Sequence, residues 1–171
     1  HSGEKMSGKE FDANYFMRGV ESGKSLYTNY RWLPDLTIPM VEAIIKYLGI
    51  SKSDKVLDFG CARGYVVKAF RRFGYNALGV DISQWAISNC DHEVEKFVFL
   101  PSEMSIFINK VDWIIAKDVL EHISEIECTI DKLLKIAQKG MFAVVPLSHG
   151  RRYDVPDYEL DITHIHRRPL R

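Results

Sequence analysis

The sequence has few cysteines and no long uninterrupted run of apolar residues. Its three cysteines, Cys61, Cys90 and Cys128, are odd in number and show no C-x-x-C spacing, which argues against a disulfide framework or a zinc knuckle. No stretch approaches the roughly 18 apolar residues that a membrane span requires, and the N-terminus lacks the basic-then-apolar order of a secretory signal. We therefore expect a cytoplasmic protein that does not enter a membrane.

An excess of charge of either sign is also missing. The 23 Lys and Arg residues balance the 23 Asp and Glu residues, so no global field attracts a nucleic acid, and we do not expect one as a partner. Arg151, Arg152 and the segment 166–168 could still form a local basic patch. With 171 residues, of which 46% are hydrophobic, the chain is long enough for one domain. We assign residues 37–171 to that domain and residues 1–36 to an N-terminal extension or lid.

Strand and helix patterns alternate along the domain. A near-continuous apolar run at 111–116 is typical of a parallel strand covered on both faces. The whole pattern predicts five strands, at 55–59, 76–80, 96–100, 111–116 and 141–145, and four helices, at 37–48, 63–73, 83–90 and 123–138. Such alternation predicts an α/β fold with a doubly wound, mostly parallel, Rossmann-like sheet, whose strand C-termini meet at one edge.

The turn after the first strand carries the most informative residues. Asp58 ends that strand, and Gly60, Ala62 and Gly64 follow as G-x-A-x-G. A dinucleotide fingerprint would need glycine at position 65, where the chain has Tyr65. Asp58 can instead meet a positively charged amino group. The second strand ends at Asp81, a position from which a carboxylate can hold a ribose, so the sequence predicts a nucleotide-like cofactor.

These segments resemble the class I S-adenosylmethionine-dependent methyltransferases. The similarity runs over residues 37–166 through the segments 58–64, 79–83, 112–122 and 161–164, and it departs from the family motif at Ala62. The resemblance implies S-adenosyl-L-methionine as cofactor. It places Asp58, Gly60, Ala62, Gly64, Lys117 and Asp118 around the methionine portion, Asp81 at the ribose hydroxyls, Ile82 on the adenine face, and Ser102 and Glu103 near the adenine amino group.

The acceptor is less well defined. The Asp161-Ile-Thr-His164 segment and the aromatic stretch 27–32 resemble those of methyltransferases associated with surface glycans and sugars. We therefore expect a small-molecule acceptor, with a sugar or glycan hydroxyl ahead of others. A hydroxyl acceptor needs a base, and His122, His149 and His164 are the candidates because imidazole titrates near neutral pH. For any single one of them, we favour a structural role as a hydrogen-bonded loop histidine.

A metal site is a further alternative. RNA-end ribose methyltransferases carry a Glu-x-x-Glu-His segment plus a distant histidine, which Asp118, Glu121, His122 and His164 partly match. Because Asp118 replaces the first glutamate and metal-free relatives share Leu-Glu-His, we predict no metal and expect Glu121 and His122 to order the loop. A non-catalytic cofactor-binding module and a metal-dependent RNA ribose methyltransferase stay open as alternatives.

The residues after Pro146 show no strand pattern. The sheet of the family has two further strands, so we expect the C-terminal strands to be missing here. Strand five would then be an exposed edge or would pair with a second copy of the chain, which makes a homo-oligomer an expected partner arrangement.

Overall fold

Five parallel strands form the centre of the fold. The structure, a computed structural model, describes residues 7–103, 110–146 and 161–164. The strands are β1 (Lys55–Phe59), β2 (Asn76–Val80), β3 (Val98–Phe99), β4 (Val111–Lys117) and β5 (Ala137–Val144). They lie in the order β3-β2-β1-β4-β5, and every neighbouring pair is parallel. This confirms the predicted α/β, doubly wound, Rossmann-like sheet.

Apolar side chains cover both faces of the sheet. Val56 and Leu57 of β1 point to opposite faces because strand side chains alternate, and each belongs to a different core cluster. The same holds for Ile114 and Ile115 of β4. The helices that surround the sheet are α1 (Ala13–Met17), α2 (Gly19–Ser22), α3 (Pro34–Leu48), α4 (Tyr65–Arg72), α5 (Gln84–Ser88) and α6 (Ile126–Ile136).

Several element boundaries differ from the sequence prediction, and two of these differences concern the cavity or the sheet edge. Helix α3 begins at Pro34, three residues before the predicted N-cap Thr37, because proline at the first helical position supplies a suitable φ and lacks an N–H that would be unpaired there. Strand β5 begins at Ala137, four residues earlier than predicted, since Ala137 pairs with Val111 and continues the ladder. Both differences lengthen an element that borders the cavity or the sheet edge.

Within the described part of the chain, β5 lies at one edge of the sheet and pairs with β4 alone. Asp54 fastens this edge, because its carboxylate accepts hydrogen bonds from Trp113 Nε1 of β4 at 3.1 Å and from Lys139 Nζ of β5 at 2.6 Å. Self-association through the β5 edge stays a prediction. Among the described residues, no helix has the length and apolar character that crossing a membrane requires.

Candidate functional site

A cavity of about 740 Å³ opens at the edge of the sheet where the parallel strands end. Asp58 of β1, Asp81 after β2 and Lys117 of β4 line its floor. The position follows from the topology, since parallel strands place their carboxyl ends on one side, and the volume suits a small-molecule site. The structure thus brings together most of the predicted cofactor residues, namely Asp58, Gly60, Ala62, Asp81, Ile82, Lys117 and Asp118.

The turn after β1 lets the backbone border the cavity closely. Gly60 has a φ of 81°, and a Cβ atom placed on it would lie 2.6 Å from Val119 Cγ2. Ala62 also has a positive φ, 47°, which is uncommon for a residue with a side chain and typical of functional turns. Gly64, in contrast, does not line the cavity. A Cβ atom placed on Gly64 would lie 2.8 Å from Val94 Cγ2.

Two backbone groups hold the carboxylate of Asp81 in place. Its Oδ2 accepts the N–H of Ala62 at 2.7 Å, and its Oδ1 accepts the N–H of Ser83 at 2.7 Å. Each oxygen keeps a second lone pair, so the carboxylate can still accept two hydroxyl groups. Burial raises the pKa of Asp81, although these two hydrogen bonds oppose the shift. The arrangement suits a ribose with two neighbouring hydroxyls.

Asp58 is a buried carboxyl that borders the cavity, with 3% of its surface exposed. Burial and the nearby charge of Asp81 raise its pKa to about 7, while Lys117 partly opposes them. A cationic group in the cavity would favour the ionised form of Asp58. The site can therefore hold both an amino group, beside Asp58, and a ribose, beside Asp81, and its residues suit S-adenosylmethionine.

The remaining predicted cofactor residues divide into two groups. Lys117 and Asp118 form an ion pair at the end of β4, where Asp118 has a φ of 51°. Ile82 lines the cavity and is 42% exposed. Ser102 and Glu103 are exposed and do not line the cavity, which Pro101 reaches instead. The Glu103 carboxylate accepts the N–H of Leu100 at 2.8 Å, so in this structure it caps a turn.

Aromatic side chains from the N-terminal segment form the opposite wall of the cavity. They include Phe11, Tyr15, Phe16, Tyr27 and Tyr30, which contact one another edge-to-face or stacked. Two hydrogen bonds connect this wall to the turns after β1 and β2. Ser83 Oγ donates to the Phe11 carbonyl at 2.6 Å, and Arg63 Nη1 donates to the Tyr30 carbonyl at 3.0 Å. The segment therefore forms one wall of the cavity, and its assignment as a lid stays a prediction.

The three candidate histidines have different surroundings. His122 is buried and lines the cavity, and burial together with the nearby His164 lowers its pKa. The His164 ring lies 4.7 Å from that of His122, centroid to centroid, and does not line the cavity. His149 and the basic segments at 151–152 and 166–168 lie outside the described residues.

The Asp161–His164 segment packs against the turn after β4. Thr163 Oγ1 lies 2.8 Å from Nδ1 of His122, and Tyr15 donates its hydroxyl to Asp161 Oδ2 at 2.8 Å. These two contacts connect the Asp161–His164 segment with both the aromatic wall and the turn after β4. His122 therefore links the turn after β4 to the Asp161–His164 segment.

The neighbouring Glu121 has a buried carboxylate. It is 2% exposed, and neither carboxylate oxygen has a hydrogen-bond partner in the described part of the chain. Burial raises its pKa to about 7. Among the described residues these oxygens make no hydrogen bond that would order the loop, so the loop-ordering role of Glu121 stays a prediction.

Sequence reasoning missed part of the cavity wall. Leu36, Thr37 and Met40, from the first turns of α3, line the cavity, as does Val119 after β4. The pattern had assigned α3 only a packing role. Pro34, a favoured first residue of a helix, was the signal that the helix starts early enough to reach the cavity.

Comparisons with known proteins agree with this geometry. A family model described as a methyltransferase domain matches residues 36–166, and the chain belongs to this family. Its fold and site are those of the class I methyltransferases. The family match and the structural neighbours indicate S-adenosylmethionine as the cofactor. No curated protein matches the chain.

Solved structures share the fold at low sequence identity. Coclaurine N-methyltransferase bound to N-methylheliamine and SAH is 18% identical, with a TM-score of 0.55, and the match covers 73% of this chain and 42% of that one. An Aquifex aeolicus SAM-dependent methyltransferase is 19% identical, with a TM-score of 0.56 and 74% coverage of both chains.

A third structure contains the Haloferax volcanii Trm112 methyltransferase activator in complex with a methyltransferase. It is 14% identical, with a TM-score of 0.64, and the match covers 98% of this chain and 72% of that one. The chain spans about half the length of several structures that it matches.

Proposed function

We propose that the protein binds S-adenosylmethionine in this cavity and methylates a small molecule, with a sugar or glycan hydroxyl as the first acceptor class. The observation that carries the proposal is the pair of carboxyls, the buried Asp58 and the half-buried Asp81, that border one cavity beside the Gly60 turn. Family membership supports the same activity.

Different residues around the cavity would bind different parts of the cofactor. When bound, S-adenosylmethionine supplies a methyl group on a sulfonium centre. Asp81 would accept the ribose hydroxyls, Asp58 would face the amino group, and Ile82 would pack on the adenine. The Gly60 turn leaves room for close approach of the methionine portion, and the aromatic wall excludes water, so positioning supplies most of the catalysis.

The acceptor side of the cavity has a mixed lining. Thr28, Asn29 and Arg31 are exposed polar side chains at its rim, and Leu33 and Leu36 are exposed apolar ones. A sugar ring has hydroxyls at its edge and C–H groups on its faces, which suit such a surface. This lining supports a sugar-like acceptor.

A hydroxyl acceptor must lose a proton during transfer, and His122 is the candidate histidine at the cavity wall. Its Nδ1 is engaged by Thr163, so Nε2 is the nitrogen that could take a proton. His122 is therefore proposed as the base from its position alone. If the methyl acceptor were a nitrogen atom, no base would be needed.

Calorimetric titration with S-adenosylmethionine and its demethylated product tests the cofactor part directly. Methyl transfer is then measured on a panel of sugar hydroxyls, aromatic hydroxyls, amines and a short RNA. Turnover of a sugar supports the proposal. Turnover of the RNA alone would favour a ribose methyltransferase, and cofactor binding without turnover on any acceptor would favour a non-catalytic module.

A further inference from the structure

We propose that Glu121, His122 and His164 bind a divalent transition-metal ion, Zn²⁺ or Mn²⁺, at the buried side of the cavity wall. Each residue offers one ligand atom, and these three atoms all lie within 4.8 Å of one another. Two of the ligands are adjacent in the turn after β4, and the third comes from the separate Asp161–His164 segment, so the fold itself brings them together.

The carboxylate of Glu121 is the first reason for the proposal. Its Oε1 lies 4.0 Å from Nε2 of His122 and 4.0 Å from Nε2 of His164. These distances are too long for hydrogen bonds, and neither carboxylate oxygen has another partner among the described residues. A buried carboxylate without partners is costly. A cation between the carboxylate and the two imidazoles would offset that cost.

The hydrogen bonds of His122 are the second reason. Thr163 Oγ1 donates its one proton to Asp161 Oδ1, so it can only accept from Nδ1 of His122, 2.8 Å away. Nδ1 therefore carries the proton, and Nε2, the nitrogen facing Glu121, has a free lone pair. A histidine that binds metal through one nitrogen commonly donates the other N–H to a fixed acceptor in this way.

Asp161 supports the arrangement without being required as a ligand. Its Oδ1 also accepts the backbone N–H of Thr163 at 2.9 Å, and its Oδ2 accepts the Tyr15 hydroxyl at 2.8 Å and lies 3.6 Å from Nε2 of His164. These bonds hold the segment that carries His164 against the turn that carries Glu121. The ligands are thus pre-positioned by the N-terminal wall.

The ligand types indicate which ion the site would take. Two imidazoles and one carboxylate suit first-row transition metals, whereas Ca²⁺ and Mg²⁺ prefer oxygen ligands throughout. Nε2 of His122 would bind the ion and could not also take the acceptor's proton; an ion held beside the cavity by His122 would instead lower the pKa of an acceptor hydroxyl. This last role rests on the proposed methyl transfer, whereas metal binding does not.

The experiment measures metal binding on the whole chain after treatment with a chelator, in the absence of S-adenosylmethionine. Calorimetry with Zn²⁺ gives affinity and stoichiometry, and the absorption spectrum with Co²⁺ distinguishes nitrogen and oxygen ligands from cysteine thiolates. We expect one ion per chain, a Co²⁺ spectrum without thiolate charge transfer, and binding at least tenfold weaker in Glu121→Gln and His164→Gln. The variants Glu42→Gln and His92→Gln change exposed residues and should bind like wild type.

Thermal denaturation of Glu121→Gln checks that this nearly isosteric variant folds. Absence of binding by the wild type, or equal affinity in wild type and Glu121→Gln, would overturn the proposal. Titration with S-adenosylmethionine on the same samples separates the two proposals, because failure of the cofactor site would leave metal binding unchanged.

Discussion

Asp81 joins two parts of the cofactor site, because one carboxylate oxygen accepts the N–H of Ala62 and the other accepts that of Ser83, each at 2.7 Å. The end of β2 thereby fixes the turn after β1. Ser83 in turn caps α5 through Ala86 and holds Phe11 of the aromatic wall. One carboxylate therefore positions the turn and remains available to a ligand.

Replacing Asp81 should weaken cofactor binding. In Asp81→Ala the ribose hydroxyls lose their charged acceptor and the Ala62 turn loses its anchor, so we expect a loss of about 1.5–3 kcal/mol, roughly 10- to 150-fold in Kd. Calorimetry with S-adenosylmethionine measures this. Asp131→Ala, an exposed carboxylate on α6, should bind like wild type, and unchanged affinity in Asp81→Ala would remove Asp81 from the site.

A methyl group at Gly60 should be poorly tolerated, for two separable reasons. The positive φ strains any residue with a Cβ by about 1–2 kcal/mol, and here the added atom also overlaps Val119 Cγ2 at 2.6 Å. Gly23 has a similar φ of 67° but nothing within 4 Å. Gly60→Ala should therefore lower the free energy of unfolding more than Gly23→Ala does, in chemical denaturation.

The double variant Gly60→Ala, Val119→Ala tests the cause of that difference. Removing the two methyl groups of Val119 should recover part of the stability, because the overlap disappears while the backbone strain remains. If the double variant were less stable than expected from the two single changes, the overlap would not be the cause.

Cofactor affinity should depend on pH through Asp58. Its pKa is raised from 3.8 to about 7 in the folded protein, by burial first and by Asp81 second. A cationic amino group beside it favours the ionised form, so binding becomes stronger as pH rises toward 7, by up to about tenfold per pH unit, and levels off above. Adenosine, which keeps the ribose but lacks the amino acid portion, should lack the part of this dependence that comes from Asp58.

The same group affects the stability of the cofactor-free protein in the opposite sense. Between pH 3.8 and about 7 the folded state holds a proton that the unfolded chain has lost, so this contribution to stability falls as pH rises through that range. Asp58→Asn should reduce the pH dependence of both cofactor affinity and thermal stability. A steep dependence that persists in Asp58→Asn would assign it to another group.

Sequence periodicity predicted the sheet well because each strand has a local signal. Strands β1 and β2 have the predicted bounds, and Asp58 and Asp81 lie at their ends as expected. The surroundings of Glu121 had no such signal, since the absence of hydrogen-bond partners for its carboxylate in the described part of the chain depends on how Asp161–His164 packs against the β4 turn. Contacts between residues that are distant in the sequence decide the chemistry there, and periodicity does not carry them.

The residues Ser102 and Glu103 show a similar limit. The family motif placed them at the cofactor by their distance from β3, and the structure leaves both exposed. Strand β3 is only two residues long, Val98–Phe99, rather than the five predicted. Spacing along the chain does not reveal how short this strand is, and the placement of Ser102 and Glu103 at the adenine stays a prediction.

Asp54 should contribute strongly to the stability of the β4–β5 edge. It is 3% exposed and accepts hydrogen bonds from Ser51, Trp113 and Lys139. Asp54→Ala leaves several of these donors unpaired, and we expect a loss of roughly 2–3 kcal/mol in the free energy of unfolding. Lys139→Met removes only an exposed ion-pair partner and should cost less.

The pH dependence of this contribution follows from the Asp54 pKa. Burial opposes ionisation, but hydrogen bonds from Lys139 and Ser51 outweigh it and lower the pKa from 3.8 to about 2. The stabilisation is therefore present above pH 4 and is lost as pH falls toward 2. Urea denaturation of wild type and Asp54→Ala at pH 7 and pH 3 measures it, and the two proteins should differ less at pH 3. An equal difference at both values would show that the charge of Asp54 is not what stabilises the edge.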